Sequence, residues 1–241
     1  MPALTAVSVL LFVLVHLFVG ALRFLDGVPR SRWLSLAGGV AVAYVFMHIL
    51  PELNAHQQHV ETRTEAGGPG LLESEIYLVA MAGLAVFYGL ERYVRARRSE
   101  MGGDDLESGP FWLHAGSFAL YNLLIGYLLL HREETGVLSL VTYTVAMALH
   151  FVTNDYGLRQ DYQSVYDRKA RWVLAGAVVA GWLLGFAVEL SELAVGLLFA
   201  FLSGGIVLNV LKEELPEDRK SRFLPFAGGL AGYAALLLLA A

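Results

Sequence analysis

Several stretches of the chain carry chemically capable side chains at helical spacing inside otherwise apolar sequence. Between residues 137 and 158, Tyr143, Met147, His150, Thr153, Asn154 and Gly157 fall on one helical stripe. His150 and Asn154 stand at i and i+4, so an imidazole and an amide can address one point. Asp155 is adjacent in sequence but turned about 100° away. A second column holds Tyr44, His48 and Glu52, and a third holds Asn209, Glu213 and Glu217. The stretch before His150 offers His114, Ser117, Tyr121 and Asn122. Imidazole and carboxylate suit Zn, Fe(II) or Mn, and four inward-capable polar columns could equally line a hydrated path. Each residue also has a plainer explanation. A lone His or Asn in a packed helix hydrogen-bonds its neighbour, and a carboxylate near a helix end is solvated. On that ground His16 and Tyr121 read as packing residues, whereas His150 shares its face with Asn154.

The elements that must position these groups follow from composition. Of 241 residues, 56% are hydrophobic and 16% charged, with mean hydropathy +0.57, no cysteine and a formal net charge of −5. That excludes a disulfide scaffold, a disordered chain and a nucleic-acid binder, and it removes thiolate chemistry. A spanning helix needs about 20 mostly apolar residues. Candidates run roughly over 3–25, 33–51, 73–94, 111–130, 137–158, 171–189, 193–212 and 223–241. The runs are long, rich in Leu and Ala, and lack the alternation of a membrane barrel. The first has no basic flank before it and reads as a retained helix rather than a cleaved signal. The expected fold class is therefore all-α, a single polytopic domain over 1–241 with eight transmembrane helices.

Basic residues test that count. Arg23, Arg30 and Arg32 flank the first connection; Arg92, Arg95, Arg97 and Arg98 the third. Arg159, Arg168, Lys169 and Arg171 mark the fifth, and Lys212, Arg219, Lys220 and Arg222 the seventh. Of the 17 Lys and Arg, only Arg63 and Arg132 fall on the other side. The positive-inside rule then places both termini outside and the odd connections in the cytoplasm. The third connection, Arg92–Arg98 followed by Asp104, Asp105 and Glu107, reads as a solvated linker whose basic half can touch anionic lipid.

The second and seventh segments end alike. Aligned on Leu50-Pro51-Glu52 and Leu215-Pro216-Glu217, Gly39 falls on Gly204, Tyr44 on Asn209 and His48 on Glu213 without a gap. Five spans separate the copies, an odd number, so they cross in opposite directions as in an inverted repeat. Leu-Pro-Glu as an ordinary way to end a membrane helix is the competing explanation. Outside, His56 and His59 with Glu52 and Glu61 form a polar segment that a metal capture site would use.

Here the chain resembles the ZIP family of divalent-metal transporters. Phe46-Met47-His48-Ile49-Leu50-Pro51-Glu52 is similar to the end of that family's second helix, and the run from Leu202 through Glu217 to its seventh. The resemblance implies eight spans, an inverted repeat of helices 1–3 and 6–8 (about 1–98 and 171–241, around central helices 111–158), and metal ligands on helices four and five. The family's fourth helix reads His-Asn-x-x-Glu-Gly; here Asn122 and Gly126 match, but Tyr121 replaces His and Ile125 replaces Glu. On the fifth, His150 matches and Asn154 stands where a carboxylate is expected. A paired divalent site needs anionic ligands to offset its charge, so the family's standard binuclear site is not expected.

Three functions compete. The first is a ZIP-like transporter in the cytoplasmic membrane, moving Zn, Fe or Mn as cargo through one altered site of His150, Asn154, Asn122, His48 and Glu213. Asp155, Glu52, Tyr44 and Asn209 are further pathway candidates, and Gly38, Gly39, Gly204 and Gly205 would permit close helix approach. The second is a ZIP-fold protein that has lost the metal site and serves as a partner or regulatory subunit, or carries another solute. The third, a membrane metal hydrolase, wants three converging ligands, and no second His accompanies His150 on its helix, so no enzyme activity and no firm cofactor are expected. Membrane lipid is the expected partner, with a homodimer left open and nucleic acid excluded.

Overall fold

The computed structural model describes residues 2–22, 25, 31–65, 75–100, 109–132, 136–214 and 222–240. They form helices α1 (Pro2–Phe18), α2 (Arg32–Tyr44), α3 (Leu50–Glu65), α4 (Glu75–Glu100), α5 (Gly109–Leu128), α6 (Val137–Val165), α7 (Arg171–Ala187), α8 (Glu192–Glu214) and α9 (Phe223–Ala240). No strand occurs among the described residues. Six helical stretches are long and apolar enough to cross a membrane: Pro2–Ala21, Arg32–Thr62, Glu75–Val94, Val137–Gln160, Tyr162–Ala187 and Glu192–Lys212. Phe223–Leu238 adds a shorter apolar helix. This is an all-helical architecture consistent with an integral membrane protein. Its outward apolar side chains, such as Phe46, Met81, Leu183 and Leu224, suit a lipid surface.

Helix boundaries depart from the hydropathy reading at three places. The second span does not stop at Pro51: α2 passes through a π-helical turn (Val45–Ile49) into α3. Proline has no N–H and its ring crowds the carbonyl four residues back, and the widened turn just before Pro51 absorbs both defects. The segment with His56 and His59, expected as an outer loop, is therefore helical. It is held by Gln57, which accepts from the Ile76 amide at 3.0 Å and donates to Glu61 at 3.0 Å. The basic run after residue 92, expected as a linker, continues α4 to Glu100, while Asp104, Asp105 and Glu107 lie outside the described residues. The connection before α7 is also helical. α6 is broken at Tyr162 (φ −140°, ψ 48°) and followed by a π turn, Tyr166–Ala170, and Arg159 grips Asp167 across the break at 2.8 and 3.0 Å.

Packing divides the helices into two bundles. In one, α1, α6 and α7 gather around each other and α5 lies along α7; in the other, α2 lies along α9 and α4 along α8. Close approach in both depends on glycine. A Cβ on Gly39 would fall on the Phe226 carbonyl and Leu230 amide of α9, and one on Gly229 would fall on the Leu36 carbonyl in return. Gly204 meets the Ala80 carbonyl and Leu84 amide of α4 in the same way, and Gly83 meets Phe201. Gly126 faces Val178 and Trp182 of α7, and Gly181 faces Leu123. Backbone so near backbone gains dispersion and Cα–H···O contacts that larger residues would forfeit. α1 meets α6 through small hydroxyls, Ser8 and Thr144, 2.7 Å apart. Between the bundles, α2 packs on α6 and α4 on α5, and Tyr233 of α9 donates to the Thr142 carbonyl at 2.9 Å.

Candidate functional site

Two polar assemblies and one cleft occupy the interior. The cleft, about 390 Å³ including the solvent at its mouth, lies between the bundles. Glu52 and His56 of α3 and His131 and Arg132 beyond α5 contribute its charged and imidazole groups, with Tyr44 and Tyr143. Ile125, Met147, Leu202 and Ile206 make its apolar part. Tyr143 donates to the Ile125 carbonyl at 3.3 Å, and Arg132 is tied to Ser139 at 3.0 Å, so α5 and α6 hold one wall in fixed register.

Beneath that apolar part each contributing helix places a polar residue about one turn on. Tyr121 follows Ile125 on α5, His150 follows Met147 on α6, and Asn209 follows Ile206 on α8. All three are buried. The Tyr121 and His150 rings lie 5.7 Å apart, with Phe87 of α4 edge-on to Tyr121 at 6.0 Å. Asn154 donates its amide to His150 Nε2 at 2.9 Å, so these i, i+4 residues bond each other.

The second assembly lies within one bundle. Asp155, 2% exposed, accepts from His16 Nδ1 at 2.6 Å and from Tyr166 Oη at 2.6 Å. With Nδ1–H donated to a carboxylate, His16 Nε2 is left to accept from the Asn122 amide at 3.2 Å. Tyr166 Oη also lies 2.9 Å from the His16 carbonyl, and Asn122 Nδ2 lies 3.5 Å from that of Leu174. Helices α1, α5, α6 and α7 and the π turn thus join one network, in which His16 and Tyr166 bond the carboxylate directly. Phe151 packs on His16 at 4.6 Å and Phe12 packs on Phe151, and His16, Asn122, Asp155 and Tyr166 are all buried.

The expected ligands therefore separate. His150 and Asn154 form one pair, and Asn122 belongs to the His16–Asp155 assembly. His48 stacks on Tyr44 at 4.9 Å and meets Glu52 at 3.3 Å, and the Glu213 side chain and Glu217 lie outside the described residues. The outer group divides too: His59 pairs with Glu192 at 2.9 Å, while His56 packs on Phe199. No group of three His, Cys, Asp or Glu placed to hold a metal ion occurs among the described residues. The groups that do meet are the Tyr121 ring against His150 and the Asn154 amide on His150 Nε2. Sequence reasoning passed over three participants. His16 carried a signal, being a lone ionisable group in an apolar run that needs a partner. Tyr166 lay in what reads as a basic connection, and Tyr121 looks like any buried aromatic. A comparison of the chain with protein-family models and with curated proteins finds no match.

Proposed function

We propose that this chain is a membrane transporter of ZIP-like layout. It has eight spans, both termini outside and an inverted repeat, and its solute path runs between the two bundles. The observation that carries the reading is the cleft itself, which lies between the bundles with Glu52, His56, His131 and Arg132 in its wall. The repeat is supported by the glycine crossings. The shift that aligns Gly39 with Gly204 also carries Leu36 onto Phe201, and these contact Gly229 and Gly83 in equivalent ways. The Gly126–Gly181 crossing shares the local geometry, so what favours the repeat is agreement of register rather than the motif itself. Alternating exposure by one group of helices moving against the other is the motion such a path would use.

Cargo is a separate question. The neutral donor set around His150 does not suit a divalent ion in the family's manner, because a buried M²⁺ needs anionic ligands. A second reading keeps a divalent cation as cargo at a single altered site, and it is favoured by Glu52 and His56 at i, i+4 on the cleft wall. Reconstituted vesicles separate the two. Saturable Zn²⁺ or Mn²⁺ entry that falls at least about tenfold, roughly 1.4 kcal/mol, in the His150→Ala, Asn154→Ala double variant would establish the cation reading. Metal content of the purified protein, measured before and after the same substitutions, provides an independent check. If no solute of either class crosses faster than through protein-free vesicles, transport is refuted and a partner or regulatory role takes its place.

A further inference from the structure

We propose that the entry to α7 is a seat for the headgroup of an anionic phospholipid. The inference needs only a membrane-spanning chain and stands apart from the transport reading. Four helix ends meet at this place. Phe111 at the start of α5 packs edge-on against Tyr162, where α6 breaks, at 5.2 Å. Arg171 at the start of α7 reaches the Leu17 carbonyl at the end of α1, at 3.4 Å. Three cations, Arg168, Lys169 and Arg171, stand within four consecutive positions of this junction. At about 100° per residue, Arg171, Arg168, Trp172 and Lys169 follow one another around its outer face. Arg168, Lys169 and Trp172 are exposed, as that order requires. The two flanking cations lie against rings: Lys169 is over Trp112 of α5 at 5.9 Å, and Arg171 is over Trp172 at 5.5 Å.

The chemistry of the junction points to a phosphate. Arg171 Nε is buried without a hydrogen-bond partner, and the contact of this side chain with Leu17 is long. Buried donors are paired in the large majority of cases, and a guanidinium that turns to a phosphate donates two parallel bonds. Asp167, the adjacent carboxylate, is already gripped by Arg159. Depth points to a lipid rather than a soluble anion. α7 belongs to a stretch long and apolar enough to cross a membrane, and from Trp172 to Ala187 it carries no charge. The cations therefore sit where the apolar run begins, at headgroup depth, where tryptophan is also favoured. Beyond Trp172 the outer face is shallow. Gly176 and Ala180 follow at i+4 and i+8, both exposed, and nothing lies within 4 Å of a Cβ on Gly176. An acyl chain fits that trough between Trp172 and Leu183 while its headgroup meets the cations.

The test uses the full chain in dodecylmaltoside. Binding of phosphatidylglycerol and of phosphatidylcholine is followed by native mass spectrometry and by thermal unfolding. Phosphatidylglycerol should bind at least about tenfold more tightly and should raise the melting temperature more. Arg168→Gln and Lys169→Gln, both at exposed positions, should each weaken it about fivefold, the equivalent of ~1 kcal/mol per cation at a membrane surface. Gly176→Leu, which fills the trough without touching a charge, should weaken it as well. Arg92→Gln removes an exposed cation of α4 and should leave it unchanged. Equal binding of the two lipids would overturn the proposal. So would an equal loss in Arg92→Gln, because the attraction would then belong to net charge rather than to this junction. Glycerol 3-phosphate is the soluble arm. Stabilisation by it equal to that by phosphatidylglycerol, and unaffected by Gly176→Leu, would make the ligand a free phosphate and overturn the lipid assignment.

Discussion

Asp155→Ala should be the most damaging single substitution in the chain's interior, costing about 2–6 kcal/mol of stability, because it leaves two buried donors unpaired at about 1–3 kcal/mol each. Interhelical hydrogen bonds in membranes average only about 0.6 kcal/mol, because unfolded helices in lipid find other partners. Here the larger figure should prevail. Asp155 accepts two bonds of 2.6 Å, and its removal strands both His16, which is 0% exposed, and the Tyr166 hydroxyl. Asp155→Asn keeps the shape and should cost less. The decisive comparison is a double-mutant cycle. His16→Leu should also destabilise, since it leaves the carboxylate with Tyr166 alone, but His16→Leu with Asp155→Leu removes both polar groups and should recover much of the loss. A coupling of about 1–3 kcal/mol is expected from titration with SDS or urea. Purely additive single effects would show that the pair is not a unit. Hydrogen exchange offers a second readout: α1 should lose protection in Asp155→Ala before α9 does, because the network fastens α1 to α5, α6 and the π turn.

The residues of this network show where sequence reasoning reaches and where it stops. Hydropathy marked apolar helices, six of which are long enough to cross a membrane, and His150 and Asn154 share a helix face while Asp155 turns to His16. Spacing acts within one helix, so it could not reveal that Asp155 meets His16, which is 139 residues away. Asn122 was read toward His150 because both lie on central spans, but it bonds His16 instead, since a helix face is shared by several neighbours and packing decides among them. The stretch after Pro51 was hidden for another reason. Its polar residues lower hydropathy to that of a loop, while its helix is maintained by contacts with α4 and α8 that have no local signature. Proline suggested an end because its defect is usually terminal, and the π turn that accommodates it depends on tertiary packing. The glycine register was readable as a repeat of letters, but which backbone each glycine meets was not.

Those glycines support the second large effect. Gly204→Ala should destabilise the protein by about 1–3 kcal/mol, the range for overpacking a close contact. The added Cβ would land on the Ala80 carbonyl and Leu84 amide, backbone atoms that no rotamer change can move aside. Gly39→Ala should cost a similar amount, because its Cβ meets the Phe226 carbonyl and Leu230 amide in the same arrangement. Gly83→Ala and Gly229→Ala should form a second matched pair. Gly89, Gly176 and Gly228 provide the opposite sign: nothing lies within 4 Å of a Cβ there, and alanine should stabilise by about 0.4–1 kcal/mol through the unfolded chain and helix propensity. Thermal unfolding in detergent reads all of these. Equal costs at Gly39 and Gly204 would be hard to obtain unless both crossings are built alike, whereas a benign Gly204→Ala would show that α4 and α8 can separate cheaply. Both crossings lie within tightly paired helices, α2 on α9 and α4 on α8. Their variants should therefore lower the yield of folded protein.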